Sequence, residues 1–343
     1  MEKQEPKHLS ITNMPDTERQ ALLSQKICEL PLKNCGTRLT SLIERLYEEM
    51  ENCGISFKPE TYLSDEWGCP DSTPIIGIPF YLADSRLSDL VSEISDCPAE
   101  TNAEIMKYLR HEAGHAFNYA YRLYMEPEWN RLFGSFTSPY EDDYKTRPFS
   151  PRFVRHVPGW YAEKHPDEDF AESFAVWLTP GSRWKEKYAN TPVLSKLLYV
   201  DDTVRRYGRK PPFVTGGELD RPVKDLDISM ARWCQMSEAE SQKAVRLPDI
   251  VDEDLHRLFP ALEGKPAAVI FQPARKQLIR DVHDWTGMNR DLTYSLINEL
   301  MRRSEALGLK VESEKTESCT ISLVVFITTL AMNYQNTGQF MEA

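Results

Sequence analysis

The sequence predicts an α+β protein of two domains, covering residues 1–235 and 236–343. Amphipathic helices are indicated by apolar residues that recur every three or four positions, as in Arg38–Asn52. The apolar run 75–82 is typical of a strand, and the proline inside it predicts an edge strand to which an extended peptide could add. Residues 208–250 are rich in Pro, Gly and charge, so we place the domain boundary within them.

After a short predicted helix at residues 87–94, the following predicted helix carries the motif His-Glu-x-x-His at residues 111–115. His111 and His115 are four residues apart, so they share one helix face and can bind a single zinc ion. Glu112 lies at the edge of that face, where it could take a proton from a zinc-bound water. For the motif alone, the alternative is an amphipathic helix with two partly buried, hydrogen-bonded histidines.

Local signals define this helix further. Thr101 and Glu104 form the pattern of a capping box, which predicts that the helix begins there. Gly114 lies inside the helix, where glycine costs about 1 kcal/mol relative to alanine. We therefore expect the backbone of a neighbouring element, or a substrate, to approach closely at this position.

Two more helices are predicted in the first domain, and an aromatic-rich segment precedes them. Residues 125–160 are long for a loop and are expected to form either a wall of the cleft or a small satellite core. Pro166–Leu178 begins with proline and acidic residues, which are typical of a helix start. Residues 192–207 are also expected to be helical.

The C-terminal residues predict a small α+β module of unknown role. The predicted strands are 267–271, 310–312 and 321–328, and the predicted helices are 274–285 and 291–307. His256 and His283 stand alone there, so no metal site is expected in this module.

Composition excludes several classes of function. The net charge is −12 and no cluster of Lys or Arg is present, which argues against nucleic-acid and anionic-membrane partners. The seven cysteines form no C-x-x-C pair. The N-terminus lacks an apolar signal segment, and the longest apolar run, residues 321–332, is too short to span a bilayer. We expect a cytoplasmic protein with reduced thiols.

A zinc ion that keeps one position open for water needs a third protein ligand. Tyr121 stands six residues after His115, where a metzincin would have its third histidine, so that class is excluded. The helix Pro166–Leu178 offers Glu168 and Glu172 instead. Alternatively, its acidic residues only complement the helix dipole.

The segment Glu-Asp-Phe-Ala-Glu-Ser-Phe at residues 168–174 resembles the helix that carries the glutamate zinc ligand in gluzincins, including the catalytic domain of anthrax lethal factor. Further segments are similar to a bacterial family of zinc-binding metallopeptidases: 65–67, 78–82, 110–115 and 165–172. The resemblance covers roughly residues 10–235. It implies a zincin-like metallopeptidase domain, with an active-site helix and a small edge-strand sheet.

The resemblance also implies roles for single residues. Glu168 would be the third zinc ligand, and Glu172 an acid beside the ligands. Glu172 or Asp169 as the zinc ligand is the alternative, and His165 is a minor one. With Glu168 as the ligand, Glu172 or Asp169 would accept the free ring N–H of a histidine ligand and fix its tautomer.

Tyr161 stands seven residues before Glu168. By the resemblance to anthrax lethal factor, this is the position of the catalytic tyrosine. It would donate a hydrogen bond to the oxyanion that forms during hydrolysis. His156 competes for this role, and either residue could be an ordinary part of the cleft wall.

Together these observations predict a zinc metallopeptidase that acts on a peptide or protein substrate, with Zn²⁺ as its cofactor. A zinc hydrolase of a non-peptide amide is the first alternative, because the same site would serve. A non-catalytic zinc-binding or partner-binding protein is the second. Neither the substrate nor the oligomeric state is predicted.

Overall fold

The computed structural model describes residues 14–32, 38–95, 99–140, 144, 146–241, 245 and 247–340. In these residues the fold is mixed, with many helices and two small sheets. The helices are α1 Asp16–Ser24, α2 Arg38–Asn52, α3 Ser85–Ile94, α4 Asn102–Tyr121, α5 Pro127–Phe133, α6 Pro166–Leu178, α7 Trp184–Lys187, α8 Val193–Tyr207, α9 Met230–Ser241, α10 Ile250–Leu258, α11 Ala268–Thr286, α12 Arg290–Ala306 and α13 Thr316–Thr337. The strands are β1 Glu60–Ser64, β2 Ile75–Pro79, β3 Lys265–Pro266 and β4 Lys310–Val311.

The predicted helices of the first domain are confirmed. Helices α2 and α6 have the predicted bounds, and α8 begins one residue later than predicted. Helix α4 begins with the predicted capping box. The Thr101 hydroxyl accepts a hydrogen bond from Glu104 N at 3.2 Å, and the Glu104 carboxylate accepts one from Thr101 N at 2.8 Å. The cap satisfies two backbone donors that the first turn would otherwise leave free.

Helices α4 and α6 pack against each other within the hydrophobic core formed by residues between 39 and 204, which we call the first core. A Cβ atom at Gly114 would lie 2.8 Å from Ala171 Cα and 2.9 Å from Ala171 O. Glycine therefore lets the two helix backbones come into contact. The prediction of a close approach at Gly114 is confirmed, and the neighbour is the acidic helix.

The first sheet has two parallel strands, β1 and β2. The other edge of β2 is occupied at Gly77, which donates to Gly68 O at 2.7 Å and accepts from Gly68 N at 3.2 Å. In the described residues β2 belongs to a two-stranded sheet, so the prediction of an edge strand is confirmed. Addition of a peptide stays a prediction, and at Gly77 it would have to displace the bridge to Gly68. The strand also ends at Pro79, and a 3-10 helix, Phe80–Ala83, follows.

The segment 125–160 contributes to the main hydrophobic core and also contacts acidic side chains of α6, so its first part is not the satellite core that was one alternative, and its role as a cleft wall stays a prediction. Its first part forms α5, where Trp129 and Phe133 are buried in the core beside α6. Farther along, Tyr140 and the backbone of residues 156–157 contact acidic side chains of α6.

Two of the three strands predicted near the C-terminus are wrong. Residues 268–271 lie in α11, and residues 321–328 lie inside α13. Only 310–312 gives a strand, β4, which pairs antiparallel with β3. Short apolar runs cannot be distinguished by periodicity from buried helix segments. The expected α+β module is thus a group of helices with one very short sheet.

Residues 247–340 contain a separate hydrophobic core, which we call the second core. Helix α9 crosses the predicted boundary between residues 235 and 236 and contacts both α1 and α12. The division into two domains therefore stays a prediction.

The segment Ser313–Thr337 meets the length and composition criteria for a membrane-crossing helix, as core helices of soluble proteins also can. Leu323, Ile327 and Leu330 of this segment are buried in the second core. The 22-residue helix α13 is longer than the apolar run that the sequence showed, so its length does not exclude a membrane. The absence of a membrane partner and the cytoplasmic location stay predictions.

Candidate metal centre

Helices α4 and α6 bring His111, His115 and Glu168 together in a buried group. Glu168 Oε2 lies 2.9 Å from His111 Nε2 and 3.2 Å from His115 Nε2. The two Nε2 atoms are 3.1 Å apart. Three donor atoms thus converge on one point, and they are of the kinds that zinc binds.

The outer nitrogen of each histidine faces a carboxylate. His111 Nδ1 lies 2.9 Å from Glu172 Oε1, and His115 Nδ1 lies 2.8 Å from Asp167 Oδ2. A carboxylate at Nδ1 favours the tautomer that carries its proton there and directs the Nε2 lone pair inward. Glu172 thus occupies its predicted position beside His111.

Asp169 was the other acid predicted at this position, and the structure places Asp167 there instead. Asp167 also accepts hydrogen bonds from Tyr119 Oη at 2.5 Å and Asn118 Nδ2 at 2.7 Å. Asp169 lies on the opposite flank of Glu168 and pairs with Lys196 Nζ at 2.5 Å. Burial raises the pKa of Asp169 to about 7, although the nearby Lys196 opposes the shift.

Glu112 is buried, with 5% of its surface exposed, and its Oε2 has no hydrogen-bond partner. Burial raises the pKa of Glu112, while the nearby His111 and His115 oppose the rise. A buried carboxylate oxygen without a partner is costly for the fold. Such a cost is expected where a side chain has to contact a ligand that binds to the protein.

The charge balance of the group also suits a cation. Two imidazoles face an excess of carboxylates, namely Glu112, Asp167, Glu168 and Glu172. Burial opposes protonation of His111, but its bonds to Glu168 and Glu172 raise its pKa to about 9. Burial likewise opposes ionisation of Glu168, but the adjacent His115 and His111 hold its pKa well below the usual value. The donor set therefore fits a divalent ion, which would displace the proton from Nε2.

Two tyrosines border the group. The ring centroid of Tyr161 is 5.5 Å from that of His111, and its hydroxyl is 3.3 Å from the hydroxyl of Tyr140. Tyr140 in turn donates to Glu168 Oε1. Burial and then Glu168 raise the pKa of Tyr161 well above its usual value, so the hydroxyl keeps its proton. No sequence signal distinguished Tyr140 from the other aromatic residues of 125–160.

His156 and His165 do not take the positions considered for them. The His156 ring donates from Nε2 to Lys107 O at 3.1 Å, and burial lowers its pKa to about 4. Only its backbone N contacts the site, as a donor to Glu172. His165 caps α6, because its Nδ1 accepts from Asp167 N at 3.2 Å while its Nε2 donates to Ser138 O at 3.1 Å. Both ring nitrogens of His165 therefore form hydrogen bonds elsewhere and do not point to the group of His111, His115 and Glu168.

Comparison of the chain with models of known protein families, with curated proteins and with solved structures gives no match. Family membership therefore stays a prediction. The function has to be inferred from the residues of the site.

The two aspartates on either side of Glu168 give a matched test. Asp167→Asn should weaken zinc binding roughly 10–100-fold, because it removes the carboxylate that orients His115. Asp169→Asn should bind zinc like the parent but unfold more easily, because Lys196 keeps the Arg152 carbonyl but loses the carboxylate that balances its charge, a change that costs up to about 3–5 kcal/mol. Chelator competition and thermal unfolding measure the two effects. Equal zinc affinities of the two variants would contradict this division of roles.

Proposed function

We propose that this chain is a zinc-dependent peptidase of the gluzincin type. The observation that carries the proposal is the convergence of His111 Nε2, His115 Nε2 and Glu168 Oε2 near Glu112, whose buried Oε2 has no hydrogen-bond partner. A zinc ion held by these three residues would supply a Lewis acid that activates water for attack near neutral pH. In the described residues the group has three members, as in catalytic sites, whereas structural zinc sites commonly have four protein ligands.

Glu112 would act as the general base. Its buried carboxylate takes a proton from the attacking water and later returns the proton to the leaving amine. Its burial beside the two histidines supports this use, because a general base has to lie close to the water that the ion would hold.

Tyr161 would stabilise the oxyanion. Its hydroxyl stays protonated and its ring lies beside that of His111, so it could donate to the oxygen that becomes negative. Tyr140 would support the site by a different contact. Its bond to Glu168 Oε1 leaves Oε2 facing the histidines, which favours one-oxygen binding of the metal.

A peptide library tests the activity without knowledge of the substrate. Zinc-loaded protein should cleave a subset of a diverse library, lose that activity on chelation and regain it when zinc is restored. Zinc binding without cleavage of any peptide would contradict a peptidase. A parallel assay on small non-peptide amides would then separate the alternative hydrolase from a non-catalytic zinc protein.

The two tyrosines should differ when each loses only its hydroxyl. Tyr161→Phe should lower kcat about 10²–10³-fold, the effect of removing one oxyanion donor, with little change in zinc affinity. Tyr140→Phe should weaken zinc binding by less than the roughly 10–100-fold of a carboxylate partner. Steady-state kinetics at saturating zinc and chelator competition separate the two. A larger loss of kcat in Tyr140→Phe would assign the oxyanion role to Tyr140.

A further inference from the structure

The proposed chemistry makes no use of the C-terminal helices, yet they touch a wall of the metal centre. That wall is the backing turn, which we define as residues 156–160. Its first two residues donate backbone hydrogen bonds to Glu172: His156 N at 3.0 Å, and Val157 N at 3.1 and 3.0 Å to the two oxygens. Since Glu172 also holds His111 Nδ1 at 2.9 Å, the position of the turn affects the orientation of a metal ligand.

The far end of the backing turn leads directly to the candidate oxyanion donor. Gly159 and Trp160 have φ of +82° and +61°, and Tyr161 begins the short 3-10 helix Tyr161–Glu163. A tryptophan with left-handed φ is strained, so surrounding contacts have to hold it in place. The backbone conformation of Gly159 and Trp160 therefore determines the position of the Tyr161 Cα atom, from which the side chain extends.

The end of α11 supplies such contacts. The ring of His283 lies on Gly159 so closely that a Cβ atom there would be 2.8 Å from His283 Cε1. Trp160 Nε1 donates to Trp285 O at 3.3 Å. Ahead of the turn, Thr146 Oγ1 donates to Thr286 O at 3.1 Å.

The His283 ring is itself fixed. Its Nδ1 donates to Met288 O at 2.8 Å, just past the end of α11. Burial lowers the pKa of His283 to about 4, so the ring is neutral and Nδ1 can carry the donated proton. The ring is thus a rigid surface against which Gly159 packs.

We propose that the end of α11, residues 283–287, is a positioning element for the metal centre. It holds the backing turn, and the turn holds Glu172 against His111 and places Tyr161. The C-terminal helices would therefore be needed for the geometry of the site as well as for stability. The inference rests on the proposed function, because it assumes that His111, His115 and Glu168 bind a metal.

Metal binding in the full-length chain tests the proposal without a substrate. His283→Ala should weaken zinc binding about three- to tenfold, less than the loss of a direct partner of a ligand, because it acts one contact farther away. The visible absorption spectrum of the Co²⁺-loaded variant should also differ from that of the parent, since that spectrum reports ligand geometry. The matched control is His256→Ala, at an exposed histidine of α10, which should leave both readouts unchanged.

Two further variants keep the test decisive. His283→Phe keeps a ring against Gly159 and should restore most of the affinity, and Thr146→Val should reproduce part of the loss without disturbing α11. Parent-like zinc affinity and spectrum in both His283→Ala and Thr146→Val would overturn the proposal, as would an equal loss in His256→Ala. A loss in His283→Phe as large as in His283→Ala would also overturn it, because a ring packed against Gly159 would then contribute nothing to the position of the turn. Failure of the parent to bind zinc or Co²⁺ would instead refute the proposed function.

Discussion

Replacing Glu112 with glutamine should abolish peptide hydrolysis while zinc stays bound. The variant keeps the shape of the side chain but removes the group that accepts the proton. We expect a loss of at least the ~10²–10⁴-fold typical of a general base. The loss can be larger, because the same carboxylate acts twice, in the attack of water and in the departure of the amine. The measurement is library cleavage by the parent and the variant, each with its zinc content determined.

Glu172→Gln is the matched comparison for this experiment. It makes the same chemical change at the carboxylate that holds His111 Nδ1, so it should weaken zinc binding roughly 10–100-fold. Excess zinc should restore much of the activity of Glu172→Gln and none of that of Glu112→Gln. Equal cleavage by the parent and Glu112→Gln would indicate another active site or a contaminating protease. Loss of zinc from Glu112→Gln would mean that this carboxylate is structural.

Replacing Glu168 with alanine should remove stoichiometric zinc. Glu168 Oε2 is the carboxylate oxygen that faces both Nε2 atoms, at 2.9 and 3.2 Å. Its loss leaves two histidines as ligands, so the affinity should fall by more than the roughly 10–100-fold of a lost hydrogen-bond partner. Hydrolysis should fall with it. Zinc analysis of the purified variant and chelator competition measure the change.

Glu172→Ala provides the comparison for Glu168→Ala, since Glu172 is the alternative ligand on the same helix. It should keep detectable zinc binding of reduced affinity. The reverse order, with zinc lost from Glu172→Ala and retained in Glu168→Ala, would show that the ligand was assigned to the wrong glutamate.

The parts of the fold that could be predicted are those defined by local signals. The cap at Thr101 marks the start of α4, and Pro166 with the acids after it marks the start of α6. The spacing of His111 and His115 fixes their common face once the helix exists. Gly114 indicated a close neighbour, although only the structure shows that Ala171 is that neighbour.

The parts that could not be predicted depend on contacts between distant residues. Residues 321–328 are rich in β-branched side chains, yet burial of Leu323 and Ile327 in the second core makes them helical. Asp167 and Asp169 flank Glu168 equally in sequence, and only the packing of α6 on α4 decides which one meets His115.

The roles of Tyr140 and of the backing turn could not be predicted from the sequence either. Their roles depend on where a segment without regular pattern passes over α6, and no periodicity encodes that path.

The central claim is that His111, His115 and Glu168 bind one catalytic zinc ion. A crystal of zinc-loaded protein, with diffraction recorded on both sides of the zinc absorption edge, tests it most directly. We predict one strong anomalous peak about 2.0–2.2 Å from both Nε2 atoms and from a carboxylate oxygen of Glu168, with Glu112 next to the ion but not bound to it. The absence of a peak at this group, or a peak bound by Glu172 or Asp169 with Glu168 turned away, would contradict the account.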